Sequence, residues 1–182
     1  MPDYRYCPQC ATPLVDDERG GAARRVCPTE ACGFVHWNNP APVVAAIVEQ
    51  DGHVILVRSH GWPDNWYGLV TGFLEHGEMP AEAVLREVRE EIGLDAALGD
   101  YVGMYPFYRM NQLIIAYHVV AEPGEVRLEE SELADWRAVP IEAVRPWPRG
   151  TGVALRDWLA SRGYEREFVP LGHARGGREG SS

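Results

Sequence analysis

The stretch GFLEHGEMPAEAVLREVREEIGL, residues 72–94, decides the fold prediction. Its second half predicts a helix from about Pro80 to Ile92, because proline suits a first helical position and Gly93 suits the residue just past the end. At about 100° per residue, five apolar side chains fall within one arc of this helix. The arc predicts a face that packs on a sheet, and it comprises Ala81, Val84, Leu85, Val88 and Ile92.

Three glutamates lie together beside the apolar arc. By the same arithmetic, Glu87, Glu90 and Glu91 share about 100° of helix surface. A like-charge pair at i,i+4, such as Glu87 and Glu91, destabilises an isolated helix by about 0.2–0.5 kcal/mol. Carboxylates gathered at the edge of a buried face favour a site for a hard cation such as Mg²⁺, which takes oxygen ligands. The alternative interpretation is a solvated acidic surface, which is common for such a helix considered alone.

Four cysteines lie within the first 32 residues, as Cys7 and Cys10 in CPQC and Cys27 and Cys32 in CPTEAC. Thiolates on two such turns can hold one zinc ion in a tetrahedron. The second pair has four intervening residues instead of two, and the sixteen residues between the pairs fit a zinc ribbon. The alternatives are buried thiols without metal and a Cys/His set that includes His36. Four thiolates leave no open position, so the predicted zinc is structural.

The rest of the chain predicts strands around a central helix. NNPAP at 38–42 is typical of a linker. Apolar runs at about 43–50 and 53–59 flank Asp51-Gly52, which favours a type I′ hairpin turn. Together these elements predict an α/β or α+β sandwich. The remaining predicted elements are strands near 101–108, 112–121 and 135–139 and a helix at about 152–162.

Composition and charge narrow the class of function. A length of 182 residues predicts one main domain with a small accessory one. The net charge of −10 argues against binding to duplex DNA, which needs a basic surface. The sequence has no run of 18 apolar residues, so no transmembrane helix is expected. Because the first residues do not resemble a secretory signal, we expect a cytoplasmic protein, where cysteines more often bind metal than form disulfides.

The quoted stretch matches a known motif at every specified position. The Nudix box is G-x5-E-x7-R-E-U-x-E-E-x-G-U, where U is bulky and aliphatic, and the chain therefore resembles a Nudix hydrolase. This resemblance implies a Nudix α/β/α sandwich at 39–165, preceded by the zinc ribbon at 1–38 and followed by a disordered tail at 166–182. The matching residues are Gly72, Glu78, Arg86, Glu87, Val88, Glu90, Glu91, Gly93 and Leu94.

The resemblance also implies roles for the residues of the box. Glu87, Glu90 and Glu91 would hold Mg²⁺ or Mn²⁺, and Glu87 would also orient or deprotonate the attacking water. The implied reaction is metal-assisted hydrolysis of a diphosphate linked to another group. Three further residues would brace the loop and allow the turn that leads into the helix: Glu78, Arg86 and Gly72.

The substrate prediction comes from the segments around the box. The region from the cysteines to the first long strand resembles NADH pyrophosphatases and zinc-ribbon enzymes that act on ADP-ribose or flavin adenine dinucleotide (FAD). The NADH group carries a second motif, SQPWPFPxS, of which GMYPFYRMNQL keeps only Pro106-Phe107 clearly. We therefore favour ADP-ribose or FAD as substrate. The alternatives are an NADH or NAD pyrophosphatase, including removal of NAD caps from RNA, and a Nudix domain that senses a nucleotide without cleaving it.

The resemblance suggests weaker candidates for substrate contact. Arg58 is expected near phosphates, and Glu130, in preference to Glu132, could offer a further carboxylate. Aromatic side chains could stack on a nucleobase or a flavin ring, and the candidates are Trp66, Phe107 and Tyr108. A homodimer is possible because dimers are common in the family, and the ribbon could serve as an interaction or dimerisation module.

Overall fold

The structure is a computed structural model that describes residues 4–170, and it divides into two units, Met1–Pro40 and a second that starts at Ala41. The first unit contains an antiparallel sheet of β1 (Val15–Arg19), β2 (Ala22–Val26) and β3 (Val35–His36). The proposed segments 1–38, 39–165 and 166–182 stay a prediction.

A β-hairpin begins the second unit. Strands β4 (Ala41–Gln50) and β5 (His53–Ser59) pair in antiparallel register, with Val48 opposite Ile55. The connecting residues Asp51 and Gly52 have φ values of 47° and 74°, as the predicted type I′ turn requires. The hairpin prediction is therefore confirmed.

The hairpin is part of a six-stranded mixed sheet. β4 is parallel to β8, and its other neighbours are antiparallel: β5 at one end and β6 at the other. On one side of β4, the paired strand therefore changes from β6 to β5 along its length. The pairing with β6 places Gly72 opposite Val44. The sheet runs in the order β7-β8-β4-β5-β9, with β6 also on β4. The remaining strands are β6 (Val70–Phe73), β7 (Ala96–Phe107), β8 (Gln112–Ala121) and β9 (Leu133–Pro140).

The box residues form helix α1 with the predicted bounds, Pro80–Ile92. Pro80 opens the helix, and Gly93 ends it at φ 68°, with its N–H donating to the carbonyl of Arg89 at 3.1 Å. The buried face differs from the predicted arc, since Ala81 and Leu85 are only partly buried. The buried face includes two glutamates and comprises Ala83, Val84, Glu87, Val88, Glu91 and Ile92.

Helices cover both faces of the sheet. Alternate side chains of β4 point to opposite faces, so Val44 and Val48 contact the core under α1, whereas Ile47 contacts the core under α2 (Thr151–Ser161). The buried side chains of Leu155, Trp158 and Leu159 belong to the second core. The structure confirms the predicted α+β sandwich.

The described chain after α2 has no regular secondary structure. Arg166 donates to the carbonyl of Glu142 at 2.8 Å, and the N–H of Val169 donates to the carbonyl of Pro146 at 2.9 Å. The first residues of the predicted disordered tail thus make specific contacts, and its remainder, 171–182, lies outside the described residues. Within 4–170, no helix has the length and apolar character needed to span a membrane.

Candidate active site and zinc-binding cluster

The four cysteines of the first unit converge on one point. Their sulfur atoms all lie within 4.8 Å of one another, with Cys10 and Cys27 at 3.4 Å and Cys7 and Cys32 at 3.5 Å. A tetrahedral zinc with Zn–S bonds of about 2.3 Å needs sulfurs about 3.8 Å apart. The sulfur donors therefore fit zinc, and all four cysteines are free thiols. The ring of His36 instead lies 4.4 Å from that of Tyr4, so the His36 variant is not supported.

In the second unit, Arg86 ties the loop before α1 to the helix. Its guanidinium donates to Glu78 at 2.8 and 3.0 Å, to Glu87 at 2.7 Å and to Glu90 at 2.9 Å. It also donates to the carbonyl of Phe73 at 3.2 Å. Arg86 thereby lowers the pKa of Glu78 through its hydrogen bonds and its charge. These contacts link the end of β6, the loop and the first turns of α1.

Gly72 provides the space for the Glu87 carboxylate. A Cβ atom at Gly72 would lie 1.8 Å from the carboxyl carbon of Glu87, a distance too short for two atoms that are not bonded to each other. Gly72 is not among the residues with positive φ, and it pairs as an ordinary strand residue with Val44. The prediction that glycine is needed there for a tight turn is therefore wrong; the requirement is steric.

Of the three box glutamates expected to bind the metal, Glu87 and Glu91 are buried. Burial is the main cause that raises the pKa of Glu87, while Arg86 opposes the shift. Burial, together with the charges of Glu87 and Glu132, raises the pKa of Glu91 to about 8. The side chain of Glu90 is 60% exposed. This pattern indicates closely spaced negative charge without enough neutralising partners.

The carboxylates do not form a closed ligand set in this structure. Within 4–170, the cysteine cluster is the only group of three or more ligand-type side chains whose ligand atoms all lie within 4.8 Å. Arg86 draws Glu87 and Glu90 to itself. The donor chemistry nevertheless fits a hard divalent cation, because the buried acids Glu87 and Glu91 offer oxygen ligands and unbalanced charge.

The box carboxylates line a cavity of about 1160 Å³. Its acidic wall includes Glu132, the less favoured of the two predicted candidates, and Glu129, which the sequence analysis did not consider. The N–H of Glu129 donates to the carbonyl of Glu91 at 2.9 Å, which holds this segment beside the end of α1. Glu129, Glu130 and Glu132 cannot be told apart by local sequence, because which of them face the cavity depends on a contact between distant segments.

The structure separates the weaker candidates. Trp66 and Phe107 line the cavity, whereas Arg58, Tyr108 and Glu130 do not. Arg58 pairs with Asp64 at 3.4 Å, and Tyr108 is 87% exposed. We therefore leave these three outside the proposed site.

Residues that the sequence prediction missed form the wall opposite the acids. They come from the turn after β7, the start of β8 and the segment before α2. The sequence offered one signal for this wall: Arg109, a basic residue two positions after the retained pair Pro106-Phe107. The missed residues are Arg109, Met110, Gln112, Trp147 and Arg149.

Comparison with known proteins gives three sets of relatives. The family description NUDIX domain matches residues 38–160. The chain is 28% identical over 150 residues to the NAD-capped RNA hydrolase NudC of Pseudomonas aeruginosa (strain LESB58), covering 82% of this chain and 52% of that protein. It is 30% identical over 138 residues to the human mitochondrial NAD(P)H pyrophosphatase NUDT13, covering 73% and 38%. The chain thus spans about half the length, or less, of these curated relatives.

Solved structures share the fold. A NUDIX hydrolase from Nitrosomonas europaea superposes with a TM-score of 0.74 at 20% identity, covering 91% of this chain and 97% of that one. An ADP-ribose pyrophosphatase from Streptococcus suis gives a TM-score of 0.56 at 21% identity, covering 71% and 98%. Together with the domain match over most of the chain, these findings establish that the protein belongs to the NUDIX family.

Proposed function

We propose that the protein hydrolyses the diphosphate linkage of a nucleoside diphosphate derivative such as ADP-ribose or FAD, with release of a mononucleotide. The observation that carries the proposal is the placement of two buried box acids, Glu87 and Glu91, on the wall of a large cavity. Mg²⁺ or Mn²⁺, held by these acids and Glu90, would neutralise the diphosphate and acidify a bound water.

The side chains of this chain would divide the remaining work. Glu87, seated against Gly72, would orient the attacking water and accept its proton. Arg86 and Glu78 would hold the loop and the helix so that the carboxylates keep their positions. The cysteine cluster would hold a structural zinc that takes no part in the hydrolysis.

Substitution of the box acids tests the proposal. We expect Glu90→Gln and Glu91→Gln each to lower kcat for mononucleotide release, measured by chromatography with ADP-ribose and Mg²⁺, by about 100-fold or more. Glu125→Gln is the matched control, because Glu125 is exposed and lies outside the cavity. Full activity in both box variants would contradict the assignment.

A second candidate function is hydrolysis of NADH or NAD, including removal of NAD caps from RNA. Its support is that the names of the NudC and NUDT13 relatives describe activities of this kind. A panel of ADP-ribose, FAD, NADH, NAD and NAD-capped RNA, compared by kcat/KM, separates the candidates. Binding of capped RNA at two salt concentrations adds a check, since phosphate contacts weaken steeply with salt.

A nucleotide-sensing role is the third candidate. It would leave the whole panel uncleaved while nucleotide binding persists. The expected cytoplasmic location, the lack of duplex DNA binding and the possible homodimer stay predictions. Measuring the mass in solution with and without residues 1–38 would test whether the ribbon mediates dimerisation.

A further inference from the structure

We propose that Arg109 and Arg149 bind a substrate phosphate other than the two in the cleaved diphosphate. The inference rests on the proposed function and narrows its substrate class to nucleoside diphosphate derivatives that carry an additional phosphate. Arg109 lies in the 3₁₀ turn Tyr108–Met110, and Arg149 directly precedes Gly150, the N-cap of α2. Both residues line the cavity. Neither guanidinium forms a hydrogen bond or an ion pair with any other residue of 4–170.

The two arginines come from segments that touch. A Cβ atom at Gly150 would lie 3.7 Å from the ring of Phe107, so the segment before α2 lies against the end of β7. Arg109 lies two residues after Phe107, and Arg149 lies one residue before Gly150, so both arginines are within two residues of this contact. Arginine forks match the oxygen geometry of phosphate. One phosphate between the segments could therefore accept hydrogen bonds from both side chains.

The charge of the cavity is divided between its walls. On the acidic wall, the one guanidinium, Arg86, is already occupied by three carboxylates. The opposite wall, formed from residues 107–114 and 147–151, contributes no carboxylate to the cavity. The free cationic side chains thus lie away from the acids that would hold a metal. Two uncompensated cations on an aromatic-lined wall, beside Phe107 and Trp147, favour an anionic group attached to a nucleoside.

The sheet register gives the distance between the walls. Gly72 and Ile115 both lie opposite Val44, on its two sides, and Gln112 is three residues along β8 from Ile115. With strands about 4.8 Å apart and a rise of about 3.3 Å per residue, Gly72 and Gln112 are about 14 Å apart. That span far exceeds a diphosphate and suits a nucleoside joined to one. The cavity volume of about 1160 Å³ likewise suits a dinucleotide-sized substrate.

Equilibrium binding tests the anion site without turnover. The probes are AMP, adenosine 2′,5′-bisphosphate and adenosine 3′,5′-bisphosphate, titrated by calorimetry in Mg²⁺. We expect at least one bisphosphate to bind about tenfold more tightly than AMP, and Arg109→Gln/Arg149→Gln to remove that difference. Arg145→Gln is the matched control, because Arg145 is exposed in the same segment but does not line the cavity. A 2′ preference indicates a coenzyme phosphomonoester, and a 3′ preference indicates a phosphate at the position where an oligonucleotide would continue.

Turnover of matched substrate pairs supplies the second measurement. The pairs are NADPH with NADH, and ADP-ribose 2′-phosphate with ADP-ribose. If the site binds a 2′-phosphate, we expect the member that carries this phosphate to have the higher kcat/KM, and we expect the double variant to lose that preference. Equal binding of AMP and both bisphosphates by the wild-type protein would overturn the inference, as would an equal loss of affinity for all three in the double variant. If neither pair is cleaved while the arginine-dependent difference in binding persists, the anion site stands and the proposed hydrolysis of these compounds fails.

Discussion

At Gly72 the absence of a side chain makes room for a charged one. The box motif placed Gly72 and Glu87 at fixed separation in the sequence, but the sequence alone suggested a turn as the reason for the glycine. The structure shows instead that the Glu87 carboxyl group occupies the space of the missing Cβ. Such a requirement arises from two distant positions in contact, so no local pattern reveals it.

We expect Gly72→Ala to destabilise the protein and to reduce its activity. The added methyl group must displace Glu87 or shift the strand, and overpacking of this kind costs about 1–3 kcal/mol. The control is Gly124→Ala, whose Cβ would meet the end of the Leu94 side chain at 3.2 Å and the carbonyl of Glu122 at an ordinary 3.8 Å, so its free energy of unfolding should change by about 0.5 kcal/mol or less. Urea denaturation gives both values, and equal stability of the two variants would contradict the steric explanation.

At the scale of helices and strands, local signals were sufficient where structure is local. The bounds of α1 followed from Pro80 and Gly93, and the hairpin followed from Asp51-Gly52. The order of the sheet did not follow, because the exchange of β5 for β6 along β4 and the parallel pairing with β8 join distant residues.

The candidate site divides in the same way. Its acidic wall was predictable because the box glutamates are contiguous and helical periodicity places them together. The opposite wall was not, since Arg109 and Arg149 lie forty residues apart, and the contact between Phe107 and Gly150 brings their segments together. Sequence spacing carries no information about that contact.

A buried cluster connects β8, β4 and the end of α2. His118 is 3% exposed, and its Nε2 lies 2.8 Å from Glu49, which also accepts from Arg162 at 3.2 Å. Its ring stacks on Trp158 at 5.1 Å. Burial is the main cause that lowers the pKa of His118; Arg162 lowers it further, while Glu49 and Asp100 oppose the shift.

This cluster predicts a pH dependence of stability. Below about pH 6.5 the unfolded chain protonates His118 while the folded protein resists protonation, so the stability contributed by this group is present above that pH and is lost as the pH falls. We expect the free energy of unfolding to decline less between pH 7 and pH 5 in His118→Gln than in the wild type. Glu91, with its raised pKa, acts in the opposite direction, but it is common to both proteins and cancels in the comparison. Identical slopes in urea denaturation would contradict the role of His118.

At the scale of the whole molecule, each unit has its own source of stability. The second unit has extensive cores on both faces of its sheet, whereas the first has few buried apolar side chains, among them Cys7, Leu14 and Val26. A unit of this size needs a further constraint to fold. The converging thiols indicate that metal binding supplies it.

We expect the purified protein to contain about one zinc per chain, by elemental analysis, because four thiolates complete one tetrahedral site. Cys27→Ser should lose most of that zinc. His36→Ala should keep it, since the His36 ring contacts Tyr4 and stands apart from the thiols. Zinc loss in the histidine variant with retention in the cysteine variant would reverse the ligand assignment.

The two walls of the cavity also differ in how the chain encodes them, and this has an evolutionary consequence. Most residues of the acidic wall come from one uninterrupted segment, residues 72–94, and this segment both forms the helix and carries the proposed chemistry. The arginines of the opposite wall lie in two connecting segments. No helix or strand needs an arginine at either position. Mutation in those segments can therefore diversify substrate choice among descendants while the inherited reaction persists.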